Sequence, residues 1–150
     1  MNGFTLPVWV VAAAKSATNI LVGNKFQDIE NIYLPEKEES IKVPVSSSAL
    51  LDNGEKALAI SHCQSGLSLD LTRGLEIWAY VQLTKESYKS GKIVQDGFPD
   101  WLDFYAGYGV GKFQSSGQPC ISQFARDLLC INLYPLLPKG CLLYTSDAAD

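Results

Sequence analysis

The apolar residues of this chain change their period at Gly23, and this change most constrains the fold. Before it, Thr5 can accept a hydrogen bond from an early helical N–H, and Pro7 tolerates the first turn of a helix. Gly23 supplies a left-handed end. An apolar stripe with several alanines runs between these residues, so the pattern predicts one helix that packs closely on a neighbouring element.

After Gly23 the apolar residues form short runs typical of β-strands, bounded by turn residues: 29–34, 40–45, 56–61, 75–83 and 92–95. Asn53-Gly54 predicts a hairpin turn. Residues 76–81 alternate between two chemically different faces. A second helix is predicted over 123–133, preceded by Ser122 and ending before Pro135. The pattern predicts an α+β fold with helices packed on a mixed or antiparallel sheet.

A glycine-rich loop follows a further run that reads as a strand. Gly107, Gly109 and Gly111 alternate with larger residues, and Lys112 follows them. Glycine tolerates positive φ and lets main-chain N–H groups face a partner, so this loop can receive an anionic or polar group. Neither the dinucleotide fingerprint nor the phosphate loop has this spacing. A tight turn or a strand bulge is the alternative interpretation.

Composition limits the classes of partner. The 150 residues include 47% hydrophobic residues, which is enough for one core, and 12 basic against 16 acidic residues give a net charge of −4. A uniform basic face is therefore not expected, and neither is a nucleic-acid partner. The acidic run at 36–39, after Pro35, predicts a solvated turn.

Cysteine and histidine positions give no support for a metal site. Cys63, Cys120, Cys130 and Cys141 lack paired short spacing, so they are expected to be reduced, mostly buried thiols in a reducing compartment. The single histidine, His62, is expected to be a partly satisfied residue at a strand end. No Ser/His/Asp or Cys/His constellation is recognisable from the sequence.

The apolar run at 6–14 does not predict a targeting or membrane segment. A signal peptide has a lysine or arginine before its apolar run, and none precedes this one. The run is also about half of the ~20 residues needed to cross a bilayer. We therefore expect a cytoplasmic protein without a membrane partner.

Three separated segments together resemble one family, the cobalt-precorrin-5B C1-methyltransferases of cobalamin biosynthesis (CbiD). The order and spacing of the segments make the resemblance specific. They are Gly3-Phe4-Thr5 with 12–17 (AAAKSA), 70–79 (DLTRGLEIWA), and the glycine loop with 117–121 (GQPCI). Two departures limit what carries over: 6–10 reads LPVWV where many members have Thr-Gly-Thr-Cys-Ala, as in a shorter cyanobacterial branch, and Ser68 stands where the family often has an additional aspartate.

The resemblance implies transfer of a methyl group from S-adenosylmethionine to carbon 1 of cobalt-precorrin-5B, giving cobalt-precorrin-6A. A sulfonium methyl is already activated, so such a protein needs no nucleophilic side chain. Family members are more than twice as long and carry a second, Rossmann-like region. Residues 1–140 are therefore predicted to be the N-terminal domain of a truncated protein, and residues 141–150 a non-native tail that resembles translated sequencing adapter.

The resemblance also suggests a site. Asp70, Thr72, Arg73 and Gly74, at the start of a strand, are expected to line a polar pocket for the methyl donor or the corrinoid, together with Gly107, Gly109, Gly111 and Lys112. Arg73 and Lys112 suit the carboxylates of the macrocycle. A local turn made by Asp70 and Thr72 is the alternative. The alternative functions are a non-catalytic tetrapyrrole-binding or small-molecule-binding module and an inactive fragment, because a site shared with a missing C-terminal region is incomplete.

Overall fold

The computed structural model describes residues 6–62, 76–84, 102–106, 123–137 and 142–149. Two α-helices and seven β-strands are assigned in these ranges. In chain order they are α1 (Leu6–Leu21), β1 (Ile29–Leu34), β2 (Glu39–Pro44), β3 (Ser47–Leu51), β4 (Lys56–His62), β5 (Glu76–Thr84), β6 (Leu102–Ala106), α2 (Gln123–Leu133) and β7 (Leu142–Ala149). The expected α+β fold is confirmed.

The strands form a two-stranded hairpin and a mixed five-stranded sheet. The hairpin joins β1 to β2, and the larger sheet has the order β3-β4-β5-β7-β6. All neighbours in this sheet are antiparallel except β6 and β7, which are parallel. Because β5 is antiparallel to β7 and β7 is parallel to β6, the start of β5 and the end of β6 point to the same end of the sheet.

Helix α1 lies at the centre of the described core. It packs against β4 and β5 and also against α2 and β1. Trp9, Val11 and the alanines at 12, 13, 14 and 17 are almost fully buried. Small side chains let the sheet approach the helix axis closely, as the sequence predicted. Gly23 adopts the predicted left-handed conformation, with φ 99°.

The turn between β1 and β2 and the turn between β3 and β4 each contain residues in the left-handed region. Glu38, in the exposed turn between β1 and β2, has φ 51°. Asn53 and Gly54 have φ 56° and 90° in the short 3-10 turn that joins β3 to β4. Asparagine and glycine tolerate this region best. Because β3 and β4 pair antiparallel on either side of this turn, the hairpin turn predicted from Asn53-Gly54 is confirmed.

Strands β4 and β5 show a clean alternation of burial. Ala57, Ala59 and Ser61 of β4 are buried, as are Ile77 and Ala79 of β5. The intervening residues are half-buried or exposed. The buried set faces α1, and Ser61 Oγ donates to the Trp9 carbonyl at 3.2 Å. The two-faced strand predicted over 76–81 is confirmed.

Three segments differ from the sequence predictions or lie beyond them. Strand β3 was not predicted, because Ser47 and Ser48 and its largely exposed position give it no apolar alternation. The run at 92–95 lies outside the described residues. Residues 142–149 pair as β7 between β5 and β6, although their sequence predicts no element; their non-native origin stays a prediction.

Neither α1 nor α2, the α-helices in the described part of the chain, is long and apolar enough to cross a bilayer.

Candidate functional site

Three strand termini meet at one end of the five-stranded sheet. β4 ends at His62, which is registered directly opposite Glu76, the first residue of β5. Ser46 precedes β3, and its main-chain N–H donates to the Ile60 carbonyl of β4 at 2.9 Å. This antiparallel register places the side chains of three distant sequence segments beside one another.

A chain of hydrogen bonds connects four side chains at this end. Ser46 Oγ lies 2.6 Å from His62 Nδ1, and His62 Nε2 lies 3.2 Å from Glu76 Oε2. The other carboxylate oxygen of Glu76 accepts from Trp78 Nε1 at 2.6 Å. The side chains of His62 and Glu76 are 45% and 39% exposed, so the chain is open to solvent or to a ligand. We call Ser46, His62, Glu76 and Trp78 the histidine cluster.

The histidine cluster favours an ionised Glu76. The hydrogen bond from Trp78 lowers the pKa of the Glu76 carboxyl, and the bond from His62 lowers it further. An ionised carboxylate only accepts hydrogen bonds, so His62 Nε2 carries a hydrogen. The unprotonated Nδ1 of a neutral His62 then accepts from the Ser46 hydroxyl. The network therefore fixes the tautomer of the ring.

This arrangement can accept a proton without losing a contact. When His62 is protonated, Nδ1–H donates to Ser46 Oγ while Nε2–H still donates to Glu76. The carboxylate stabilises the positive charge that forms on the ring. The cluster has the Ser-His-Glu residue types of a charge-relay system, with the roles of the two ring nitrogens exchanged relative to the serine proteases.

The eight site residues predicted from the sequence lie outside the described residues: Asp70, Thr72, Arg73, Gly74, Gly107, Gly109, Gly111 and Lys112. Their described neighbours in the chain do have positions. Glu76 follows Gly74 by two residues and begins β5, and Ala106 ends β6 directly before Gly107. The role of the eight residues stays a prediction.

The end of β6 and the first half of β5 flank β7. Asp147 of β7 is registered with Ala79 on one side and with Ala106 on the other. Two strand spacings separate the Ala79 and Ala106 main chains, or about 10 Å. Strand β6 therefore runs toward the end of the sheet at which β5 begins, which is the end that carries His62 and Glu76.

A second polar cluster lies where α1 meets β1. Glu30 is buried, with 6% exposure, and both of its carboxylate oxygens accept from Asn19 Nδ2, at 3.1 and 3.2 Å. Burial raises the pKa of Glu30, opposed by this bond and by nearby Lys15. Lys15 Nζ donates to the Asn31 carbonyl, and burial lowers the pKa of its amine. These contacts anchor the helix to the hairpin.

His62 is the partly satisfied strand-end residue that the sequence predicts, since it contacts Ser46 and Glu76, whereas the histidine cluster as a whole is not predicted from the sequence. Glu76 and Trp78 were placed on one strand face by their alternation. The missing information was the register that sets His62 opposite Glu76 and the position of Ser46 beside β4. Two polar residues at predicted strand ends, His62 and Glu76, were the available signal.

The chain matches known proteins over nearly its whole length. The CbiD family model matches residues 1–145. A cobalt-precorrin-5B C(1)-methyltransferase of Prochlorococcus marinus strain NATL1A is 80% identical over 140 residues, covering 93% of this chain and 37% of the relative. A protein of the same name from Synechococcus sp. strain CC9902 is 45% identical over 159 residues, covering 99% of this chain and 41% of the relative.

The fold also has a counterpart among crystal structures. The cobalamin biosynthesis protein CbiD of Archaeoglobus fulgidus superposes with a TM-score of 0.63 over 99% of this chain and 43% of that protein, at 15% sequence identity. At this identity the likeness concerns the fold alone. The chain spans well under half the length of the relatives it matches. The match of the family model over 1–145 shows that the chain belongs to the CbiD family.

Proposed function

We propose that the complete protein containing this chain is a cobalt-precorrin-5B C1-methyltransferase that takes its methyl group from S-adenosylmethionine and forms cobalt-precorrin-6A. The observation that carries this proposal is the 80% identity over 140 residues to a Prochlorococcus protein named for that reaction. The proposal concerns the complete protein, because this chain spans 37% of that relative's length.

The chemistry asks the protein for alignment more than for a nucleophile. The sulfonium centre already activates the methyl group, so the protein must hold carbon 1, the methyl carbon and sulfur in line and keep water away. The directions of β5 and β6 support a site between the two predicted segments, since the start of one strand and the end of the other face the same end of the sheet.

The two basic residues of these segments are the proposed anchors for the corrinoid. Its acetate and propionate groups are anionic, whereas the chain has a net charge of −4, so local positive groups are needed to receive the macrocycle. We assign this role to Arg73 and Lys112. Asp70, Thr72 and Gly74 and the three loop glycines are proposed to line the pocket for the donor or the macrocycle.

The test is a single-turnover reaction of the complete protein with cobalt-precorrin-5B and S-adenosylmethionine. We expect a product heavier by one methyl group and an equal amount of S-adenosylhomocysteine, both measured by mass spectrometry. Binding of the corrinoid without any gain of mass contradicts the proposal and favours a carrier. Calorimetry with S-adenosylhomocysteine then separates the two functions, because a methyltransferase is expected to bind it and a corrinoid carrier is not.

The assignment of Arg73 and Lys112 is tested by Arg73→Gln and Lys112→Gln in the complete protein. Each loses a charge-assisted contact, so we expect KM for the corrinoid to rise about tenfold while kcat changes less. Lys25→Gln, which removes an exposed lysine after α1, is the matched control for net charge. An equal effect of all three substitutions contradicts the assignment.

A further inference from the structure

We propose that His62 is the proton acceptor of this site and that the Ser46 hydroxyl passes the proton to His62 Nδ1. This inference rests on the proposed methyl transfer and names a group for a step that the transfer itself leaves open. It assigns Ser46, His62 and Glu76 a function that the sequence does not reveal.

Charge balance shows why an acceptor is needed. The new carbon–carbon bond forms with an electron pair of the macrocycle, while the sulfur–methyl bond breaks and its pair stays on sulfur. The sulfonium becomes a neutral thioether, and the macrocycle gains one positive charge. Loss of one proton from the macrocycle restores its charge. The proton moves to Ser46 Oγ as the serine's own proton moves to His62 Nδ1.

The hydrogen-bond geometry gives the relay its direction. Ser46 Oγ, 2.6 Å from Nδ1, is the exposed end of the chain, and Glu76 is bonded to the opposite ring nitrogen at 3.2 Å. A proton therefore enters at Ser46, and the carboxylate stabilises the imidazolium that results. Trp78 holds the second oxygen of Glu76 and keeps the carboxylate oriented toward the ring. We regard Glu76 and Trp78 as positioning residues.

The strand directions favour the relay's end of the sheet for the proposed transfer. His62 and Glu76 are cross-strand partners at the end where β5 begins and toward which β6 runs, and Gly74 precedes Glu76 by two residues in the sequence. His62 is also the single histidine of the chain. A neutral imidazole can take up a proton on its free ring nitrogen and release it again, as a base must do once in each turnover.

In the described part of the chain, Glu76 of β5 is the charged group that contacts the His62 ring. From the segment beside β3, Ser46 contributes an uncharged hydroxyl. Asp28 approaches this segment through its main-chain oxygen, which accepts from Val45 N at 2.8 Å.

The first test is His62→Gln in the complete protein. Glutamine can still donate to Glu76 but cannot take up a proton. We expect kcat to fall about a hundredfold and the acid limb of its pH profile to disappear, while the Kd of S-adenosylhomocysteine and KM for the corrinoid stay unchanged. Added imidazole is expected to restore part of the rate in His62→Ala, because the side chain is 45% exposed and its place is open to solvent.

The serine is tested by a pair of substitutions. Ser46→Thr keeps the hydroxyl and is expected to retain most of the rate, whereas Ser46→Ala is expected to lose about tenfold or more.

The alternative is that the histidine cluster only ties the strand ends together. This alternative predicts a lower stability for both His62 variants and no change of the pH profile. Urea unfolding of each variant separates the two.

The matched control is Asp52→Asn. This substitution removes the exposed ion pair between Asp52, in the turn before β4, and Lys56, whose Nζ lies 3.3 Å from the Asp52 carboxylate. Lys56 is the first residue of β4, and His62 is the last. We expect wild-type kcat and pH profile for this variant. If the wild-type protein methylates and His62→Gln is equally fast, the inference fails and the proposed function stands. If the wild-type protein gives no methylated product, both fail.

Discussion

Asn132 of α2 holds Tyr33 of β1 as a neighbouring strand would. Its side-chain oxygen accepts from Tyr33 N at 2.7 Å, and its side-chain nitrogen donates to the Tyr33 carbonyl at 3.1 Å. The same nitrogen also donates to the Leu128 carbonyl at 2.8 Å. Asn132 is buried, with 4% exposure. The side-chain amide of Asn132 thus satisfies both the N–H and the carbonyl of Tyr33 in an edge strand, and it fixes α2 to the hairpin.

Asn132→Ala is expected to lower the free energy of unfolding by about 2–3 kcal/mol, because it leaves the Tyr33 N–H without its acceptor in a partly buried place. Urea unfolding followed by circular dichroism measures the change. Asn31→Ala, an exposed change on the same strand, is the control and should stay within about 0.5 kcal/mol. Equal effects of the two substitutions would show that the amide bridge contributes nothing particular.

Glu30 predicts a pH dependence of stability with a definite sign. Burial raises the pKa of this carboxyl in the folded protein. Between the unfolded and the folded pKa the native state binds more protons, so the stability that depends on Glu30 is fully present below the unfolded pKa and is lost as the pH rises through the folded pKa. The stability of the wild type relative to Glu30→Gln should therefore increase as the pH falls.

Unfolding of both proteins across a series of pH values checks this slope, and other groups cancel in the difference. Glu36→Gln removes a carboxylate from the exposed turn of the same hairpin and reports the effect of net charge alone. The predicted sign is wrong if the free energy of unfolding of the wild type, minus that of Glu30→Gln, decreases as the pH falls.

Cys130 should react slowly with alkylating agents. Burial, with a smaller contribution from the negative charge of Asp127, raises the pKa of its thiol to about 11. At pH 8 the thiolate fraction is then about 0.1%, roughly two orders of magnitude below that of an unperturbed cysteine. Peptide mapping after timed iodoacetamide treatment resolves Cys130 from the other three cysteines.

The contribution of Asp127 to this low reactivity is measured by a matched pair. Asp127→Asn removes the charge and should speed alkylation of Cys130. Gln123→Ala removes the 2.8 Å hydrogen bond that Gln123 Nε2 donates to Asp127 but keeps the charge, so it should leave the rate nearly unchanged. Alkylation of wild-type Cys130 as fast as a free thiol contradicts the assigned environment.

The origin of the last ten residues is predicted to be non-native. Amplification of the gene across the codon of Gly140 should give a continuation that differs from CLLYTSDAAD.

We expect the complete product to methylate cobalt-precorrin-5B and residues 1–150 alone to show little or no turnover. An unchanged continuation refutes the predicted origin, and comparable turnover by the short chain refutes the need for further residues.

Local signals predicted most of the regular elements in the described ranges. The helix before Gly23 and the helix over 123–133 follow from apolar periodicity and end signals, and Asn53-Gly54 specifies its turn through the left-handed conformations that it tolerates. Strand β3 carries no such signal, because half-exposed serines at a sheet edge have neither strong alternation nor β-branched side chains.

The histidine cluster could not be predicted because it depends on register. A shift of one residue between β4 and β5 would turn His62 and Glu76 to opposite faces, and nothing in the local sequence of either strand fixes that pairing. The core supplies the missing constraint. Ala57, Ala59 and Ile77 must all face α1, and this requirement excludes a shift of one residue and keeps His62 and Glu76 on the same face.

The most direct test of the proposed site is a crystal structure of the complete protein with S-adenosylhomocysteine and a cobalt-corrin substrate bound. Both ligands are expected between residues 70–76 and residues 107–112, at the end of the sheet that carries His62 and Glu76, with macrocycle carboxylates on Arg73 and Lys112. Ligands bound elsewhere, with those two segments packed tightly against each other or lying apart, would contradict the proposed site.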